Sequence, residues 1–167
     1  INLSGAVRAN IPSKPSGGDE EYEWSRDGAR LVFSARLADR VEAWSTNYDL
    51  YEVPAAGGTA PRNLTPDNPA WDTQPVFLAN GDLAWLAMQR PGFEADRFRI
   101  VVRDAVSGRT RVLTDAWDRS VGKLGASRDG KRLLATADDI GQNALFSIDV
   151  GSGKPTPIVG NGQVAEF

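Results

Sequence analysis

The sequence predicts an all-β fold of three similar units, each made of four short antiparallel strands. Three observations predict it. Asp-Gly or Asn-Gly turns recur at the same place in an apolar pattern, a Gly-Gly or Ser-Gly turn follows each at a similar distance, and no stretch keeps a helical period for more than two turns.

The elements repeat in order. Ser25-Arg26-Asp27-Gly28 leads into Leu31-Val32-Phe33-Ser34-Ala35, Ala79-Asn80-Gly81-Asp82 into Leu83-Ala84-Trp85-Leu86-Ala87, and Ser127-Arg128-Asp129-Gly130 into Leu133-Leu134-Ala135-Thr136-Ala137. Next come Leu50-Tyr51-Glu52-Val53, Ile100-Val101-Val102-Arg103-Asp104 and Leu145-Phe146-Ser147-Ile148-Asp149, which end at Gly57-Gly58, Ser107-Gly108 and Ser152-Gly153. A third element closes two units as Asn63-Leu64-Thr65 and Val112-Leu113-Thr114, and the last less clearly as Pro157-Ile158-Val159. Four strands in a repeat of roughly 50 residues mark the blades of a β-propeller. The expected architecture is a partial β-propeller with blades at 19–67, 68–118 and 119–167, and with 1–18 as the end of a preceding blade or a linker. The Trp-Asp pairs at 71–72 and 117–118 begin blades and lack any Gly-His partner, so they read as packing tryptophans followed by polar turn residues.

Composition excludes several function classes. In 167 residues, 19 Lys+Arg stand against 22 Asp+Glu, a net charge of −3, so no basic footprint for nucleic acid exists. No apolar run approaches the ~20 residues of a membrane-spanning helix. Without Cys there are no disulfides, thiolate metal sites or thiol nucleophiles. Without His there is no Ser-His-Asp triad, His-ligated zinc or His general base. The chain alone therefore lacks catalytic residues, and no cofactor or metal is implied. It opens on Ile1 with no signal-peptide pattern, which reads as a processed or trimmed piece of a longer protein.

Loop lengths give the units two different ends. The first and third connections of each unit are tight, and the second connections are longer: Arg36–Asn47, Gln89–Arg97 and Asp138–Asn143. These carry Glu42, Trp44, Phe93, Glu94, Asp96, Asp138 and Asp139, and long loops on a rigid scaffold are where recognition usually sits. Trp24, Trp71, Trp85 and Trp117 read as packing between blades, which leaves Trp44 as the tryptophan placed to touch a ligand. Asp138-Asp139 lacks the spacing of a calcium loop and reads as solvated. Because three blades do not close a ring, the open sheet edges point to further blades or to self-association.

The residues then resemble a known family. Lys14-Pro15-Ser16-Gly17-Gly18-Asp19-Glu20-Glu21-Tyr22-Glu23-Trp24-Ser25, Leu50-Tyr51-Glu52-Val53-Pro54, Arg62-Asn63-Leu64-Thr65-Pro66-Asp67, Pro91-Gly92-Phe93-Glu94-Ala95-Asp96-Arg97-Phe98 and Trp117-Asp118-Arg119-Ser120 are similar to the propeller of the prolyl oligopeptidase family of serine peptidases. The bacterial dipeptidyl and acylaminoacyl peptidases resemble it most. Arg26 and Arg128 stand where the family's hairpins commonly carry Pro, and the family's α/β-hydrolase domain, with its Gly-x-Ser-x-Gly elbow, has no counterpart. The resemblance implies a non-catalytic propeller portion that gates and orients short peptide substrates for a separate α/β-hydrolase domain of the same parent, in the periplasm or cytoplasm of a bacterium.

In the family's dipeptidyl peptidases the propeller supplies carboxylates that hold the peptide's free amino group. Glu94, beside Phe93, is the candidate for that role. Arg97 either holds a peptide carbonyl or pairs with Glu94 or Asp96, and Phe93 and Trp44 complete the candidate substrate-binding set. The same loop also reads as self-neutralised, with Arg90 and Arg97 balancing Glu94 and Asp96. Asp19-Glu20-Glu21 resembles the family's paired glutamates in letters only and reads as a polar approach to a blade. Two other classes compete: a protein-binding propeller of the periplasmic Tol-Pal type, and a glycosidase propeller, which would need two well-placed carboxylates.

Overall fold

The computed structural model describes residues 3, 7–13, 17–37 and 44–167; Lys14, Pro15, Ser16 and Glu42 lie outside them. Among the described residues the strands are β1 (Ala9–Asn10), β2 (Tyr22–Trp24), β3 (Arg30–Leu37), β4 (Asp49–Pro54), β5 (Arg62–Asn63), β6 (Asp72–Phe77), β7 (Leu83–Ala87), β8 (Arg99–Arg103), β9 (Thr110–Val112), β10 (Val121–Ala126), β11 (Arg132–Asp139), β12 (Gln142–Asp149) and β13 (Pro155–Val159). They form the antiparallel sheets β6-β7-β8-β9 and β10-β11-β12-β13, and a first sheet β1-β3-β4-β5 in which β2 also pairs with β3. In that first sheet one edge is made of two pieces. β2 runs along Leu31–Phe33 and β1 along Arg36–Leu37, on the side of β3 away from β4. This is the four-stranded, meandering, all-β architecture of propeller blades. The chain divides into two compact units, Ile1–Pro75 with Ala87–Asp96, and Val76–Leu86 with Arg97–Phe167.

The repeated turns use the same bonds. Asp27 Oδ1 accepts from Ser25 Oγ at 2.5 Å and from Ala29 N at 3.0 Å, and Arg30 N donates to Ser25 Oγ at 2.9 Å. Asp129 Oδ1 accepts from Ser127 Oγ at 2.7 Å and from Lys131 N at 3.0 Å, and Arg132 N donates to Ser127 Oγ at 3.0 Å. Asp104 and Asp149 close the later turns by accepting from the backbone N–H and the hydroxyl of Ser107 and Ser152. The unit closures also share a device. Thr65 Oγ1 accepts from Leu50 N at 3.0 Å, and Thr114 Oγ1 from Ile100 N at 2.9 Å, so a buried hydroxyl satisfies an amide that no neighbouring strand reaches.

In the second unit Leu78, Ala84, Leu86, Ile100 and Val102 form one core with Val121, Leu133, Ala135, Ala137, Phe146 and Ile148, and Trp117 packs edge-on to Phe146 at 4.9 Å. In the first unit Phe33, Ala35, Tyr51 and Val53 form a smaller core. The structure corrects several expectations. The β11–β12 connection is a tight turn at Ile140 (φ 48°) and Gly141 (φ 76°), because both strands run on through Asp139 and Gln142. Asp72 is no turn residue: it starts β6, is buried, and accepts from Asn68 Nδ2 at 3.0 Å. Asp19–Glu21 is a 3-10 turn, and the buried Glu21 carboxylate accepts from the amide and hydroxyl of Ser13. Trp85 is buried and Trp71 stacks on Tyr48 at 4.7 Å, but Trp24 is 45% exposed.

Two predictions follow from the turns. Gly28 (φ 67°) faces open space, whereas a Cβ at Gly153 (φ 72°) would collide with the Leu113 carbonyl. Gly28→Ala should cost about 1–2 kcal/mol, from the left-handed backbone alone. Gly153→Ala should cost clearly more in urea unfolding, and equal losses would refute the close approach. The second prediction concerns acid. Serine and backbone hydrogen bonds hold Asp27, Asp129 and Asp149 below the usual carboxylate range, and for Asp104 the Ser107 amide leads. A depressed folded pKa gives stability that is complete above the unfolded value of about 3.9 and is lost as pH falls through the folded one. The urea midpoint should therefore drop below about pH 4, and converting these four residues to Asn should flatten that limb.

Candidate functional site

The connection between β7 and β8 is folded on itself rather than trailing in solvent. Asp96 sits at its centre: Oδ2 accepts from the amides of Gln89 and Arg90, each at 2.8 Å, and Oδ1 accepts from Arg90 Nε at 2.9 Å. Arg90 in turn lies over the Phe93 ring, 4.0 Å from its centroid. Gly92 takes a positive φ of 71° at the tip, and Asp96 N donates to Phe93 O at 3.0 Å to close the turn. At its base Met88 N donates to Trp71 O at 2.8 Å, and Asn68 Nδ2 donates to Met88 O at 3.1 Å.

A second segment braces the first. Gly92 N donates to Thr46 Oγ1 at 2.8 Å, which ties the loop bearing Phe93 and Glu94 to the segment that follows Trp44. That segment is held by Arg36, whose Nη1 donates to Ser45 O at 2.9 Å and whose guanidinium lies 5.0 Å from the Tyr48 ring. Trp44 and Phe93 are 72% and 42% exposed, so two large apolar groups face water.

The sequence-based candidates separate here. Glu94 is exposed and has no hydrogen bond or ion pair among the described residues. Arg97 donates to the carbonyls of Trp117 and, at 3.1 Å, of Asp115. Its guanidinium thus serves carbonyls of its own chain. Asp96 pairs with Arg90, so the reading of Arg97 as the partner that neutralises the loop is corrected. Sequence reasoning missed Asp96 as the organiser. The signal was available: Arg90 and Asp96 bracket a Pro91-Gly92 turn, a spacing at which one carboxylate can gather the loop's amides. Asp138 and Asp139 belong to β11, where Asp139 Oδ1 accepts from Arg119 Nη2 at 2.8 Å. No group of three or more acidic residues is placed to hold a metal ion among the described residues. The arrangement offers no activated nucleophile; it offers a carboxylate beside aromatic surface on a braced loop, suited to an ammonium group carried on an apolar ligand.

Comparison with known proteins bears directly on this fold. No protein-family model matches the chain. It is 29% identical over 159 residues to dipeptidyl-peptidase 5 of Porphyromonas gingivalis, covering 93% of this chain and 23% of that protein. It is 30% identical over 180 residues to dipeptidyl-peptidase 5 of Aspergillus fumigatus, covering 99% of this chain and 25% of that one. Among solved structures, puromycin hydrolase superposes with a TM-score of 0.65 at 18% identity, over 96% of this chain and 25% of its own. These likenesses support a propeller part of a prolyl oligopeptidase family peptidase. TolB from Acinetobacter baumannii gives a TM-score of 0.64 at 17% identity, over 83% of this chain and 32% of its own, a likeness of fold alone. This propeller part spans about a quarter of the length of the curated relatives it matches.

Asp96→Ala should release the amides of Gln89 and Arg90, so that their hydrogen exchange rises sharply. Glu94→Gln should leave exchange throughout the loop unchanged. Unchanged protection at Gln89 in Asp96→Ala would show that the carboxylate does not organise the loop.

Proposed function

We propose that this chain is the non-catalytic propeller portion of a dipeptidyl peptidase, gating and orienting short peptides for an α/β-hydrolase domain elsewhere in the parent. One observation carries the reading. The exposed Glu94 carboxylate has no partner among the described residues, yet stands on a loop that Asp96, Arg90 and Thr46 hold in one shape. An exposed charge with no partner among the described residues, on an ordered loop, suits recognition of a cation, and the free amino terminus of a peptide is that cation. Phe93 and Trp44 supply apolar surface beside it for the peptide's first side chains. Arg97 acts from the opposite end of the loop by fixing its exit to the Asp115–Trp117 backbone. The relatives named dipeptidyl-peptidase 5, matched over nearly the whole chain, support this reading over a partner-binding propeller, for which only the fold of TolB speaks.

The purified chain should hydrolyse no dipeptidyl or acylated-residue chromogenic substrate, since it contains no His to activate a nucleophile. In the full-length parent, Glu94→Gln should lower kcat/KM for substrates with a free amino terminus and spare amino-blocked ones. Breaking a desolvated, hydrogen-bonded charge pair costs about 2–5 kcal/mol, or roughly 30-fold to a few thousandfold in rate. Equal losses on both substrate types would indicate loop collapse, and no loss on either would remove Glu94 from recognition.

A further inference from the structure

The connection from β5 to β6 meets the base of the Phe93–Glu94 loop through Asn68, a half-buried side chain. Its Nδ2 carries two hydrogens and has two acceptors, Asp72 Oδ2 at 3.0 Å and Met88 O at 3.1 Å. Met88 directly precedes Gln89, whose amide is held by Asp96. The backbone of Asn68 is engaged too. Its N–H donates to Thr65 O at 3.1 Å. Asn47 Nδ2, with its amide turned to face them, donates to the carbonyls of Asn68 and Ala70 at 3.0 and 3.1 Å. Asn47 follows Thr46, the residue that accepts from Gly92 N.

The repeat shows what this position needs for folding alone. Trp117 N donates to Thr114 O as Asn68 N does to Thr65 O, and Val121 N donates to Phe98 O as Asp72 N does to Tyr48 O. Asn68 and Asp72 thus stand where Trp117 and Val121 stand in the next copy. There the pair is apolar: Val121 is buried in the core, and Trp117 packs against that core. An apolar pair therefore completes the same backbone junction, and a buried polar pair is often no more stabilising than an apolar one. What distinguishes the polar junction is its third member, the Met88 carbonyl at the root of the candidate loop.

We propose that Asn68 is a positioning residue for recognition of the peptide's amino terminus. It sets where Phe93 and Glu94 stand by holding the Met88 carbonyl with its side chain and the Thr46–Asn47 segment with its own carbonyl. The inference rests on the reading of Glu94 as the anchor for that ammonium group. Asn68 acts through two routes that meet in the loop. One runs from its side chain through Met88 and Gln89 to Asp96, the other from its carbonyl through Asn47 and Thr46 to Gly92.

The test is made in the full-length parent with a reversed pair, Asn68→Asp together with Asp72→Asn. The reversal keeps a hydrogen bond between positions 68 and 72 and removes the donor to Met88. Circular dichroism and Tm should stay close to wild type, while hydrogen exchange at Gln89, Arg90 and Gly92 rises. KM for peptides with a free amino terminus should rise roughly 10- to 100-fold, the cost of a misplaced binding group, and amino-blocked peptides should be unaffected. If the reversed pair fails to fold, Asn68→Leu with Asp72→Val replaces it, since the next junction is built on an apolar pair. Unchanged exchange at those amides would overturn the proposal, and so would raised exchange with an unchanged KM. Glu94→Gln, measured alongside, reports on the anchor alone. If it leaves the preference for free amino termini intact, the anchor reading fails and the proposal falls with it. A loss in Glu94→Gln without one in the reversed pair overturns only the role of Asn68.

Discussion

A sheet whose middle strands are apolar on both faces has no side it can show to water, and the rest of this structure depends on that constraint. Val32, Phe33, Ser34 and Ala35 are all buried along β3, and every residue of β7 is buried. A sheet of an ordinary two-layer protein alternates buried with exposed positions along each strand; here the alternation is absent from the centre. Each large side chain so buried is worth about 1.5–3 kcal/mol, so a single sheet would lose most of its stability if left uncovered. The unit of folding is thus the stack. The strands stay short and the turns stay tight, and the polar residues buried within the strands, such as Ser34 and Thr136, are small.

How much of this is legible in the sequence follows from what repeats. The Ser-x-Asp-Gly turns and the Leu-Thr closures recur, and their side chains make the same bonds in each copy, so a repeated string of letters reports a repeated geometry. The resemblance to the prolyl oligopeptidase family rests largely on strings that occur once, Pro91–Phe98 and Trp117–Ser120 among them, and is matched by the relatives. Other features that occur once were illegible or misread. The Asp138–Asn143 segment looks like a loop because Ile140-Gly141 interrupts its apolar pattern, although two positive-φ residues suffice to reverse the chain. Glu21 looks solvated from its acidic neighbours, yet Ser13 lies eight residues away and supplies both of its donors. Arg97 could not be assigned from the loop's own charge balance, because its acceptors are carbonyls near residue 117, which no charge pattern records.

At the candidate site the same logic separates what positions from what recognises. Asp96, Arg90, Thr46 and Arg97 all carry charge or polarity, and all are engaged in holding backbone. Trp44, Phe93 and Glu94 are the residues left facing outward, and Phe93 and Glu94 owe their placement to the first group. A loop built in this way commits little entropy to binding, since its shape is set before a ligand arrives.

The close approach of Gly153 to the Leu113 carbonyl, with Gly130 packed in the same way against Ala79, bears on how such proteins diversify. These glycines are turn residues of one sheet, but the space they leave belongs to its neighbour. Exchanging a single blade between relatives therefore moves half of a seam. A graft that brings its own turns must also meet a backbone at the old distance, so successful recombination breakpoints should fall within blades, between paired hairpins, rather than at the apparent borders between repeats.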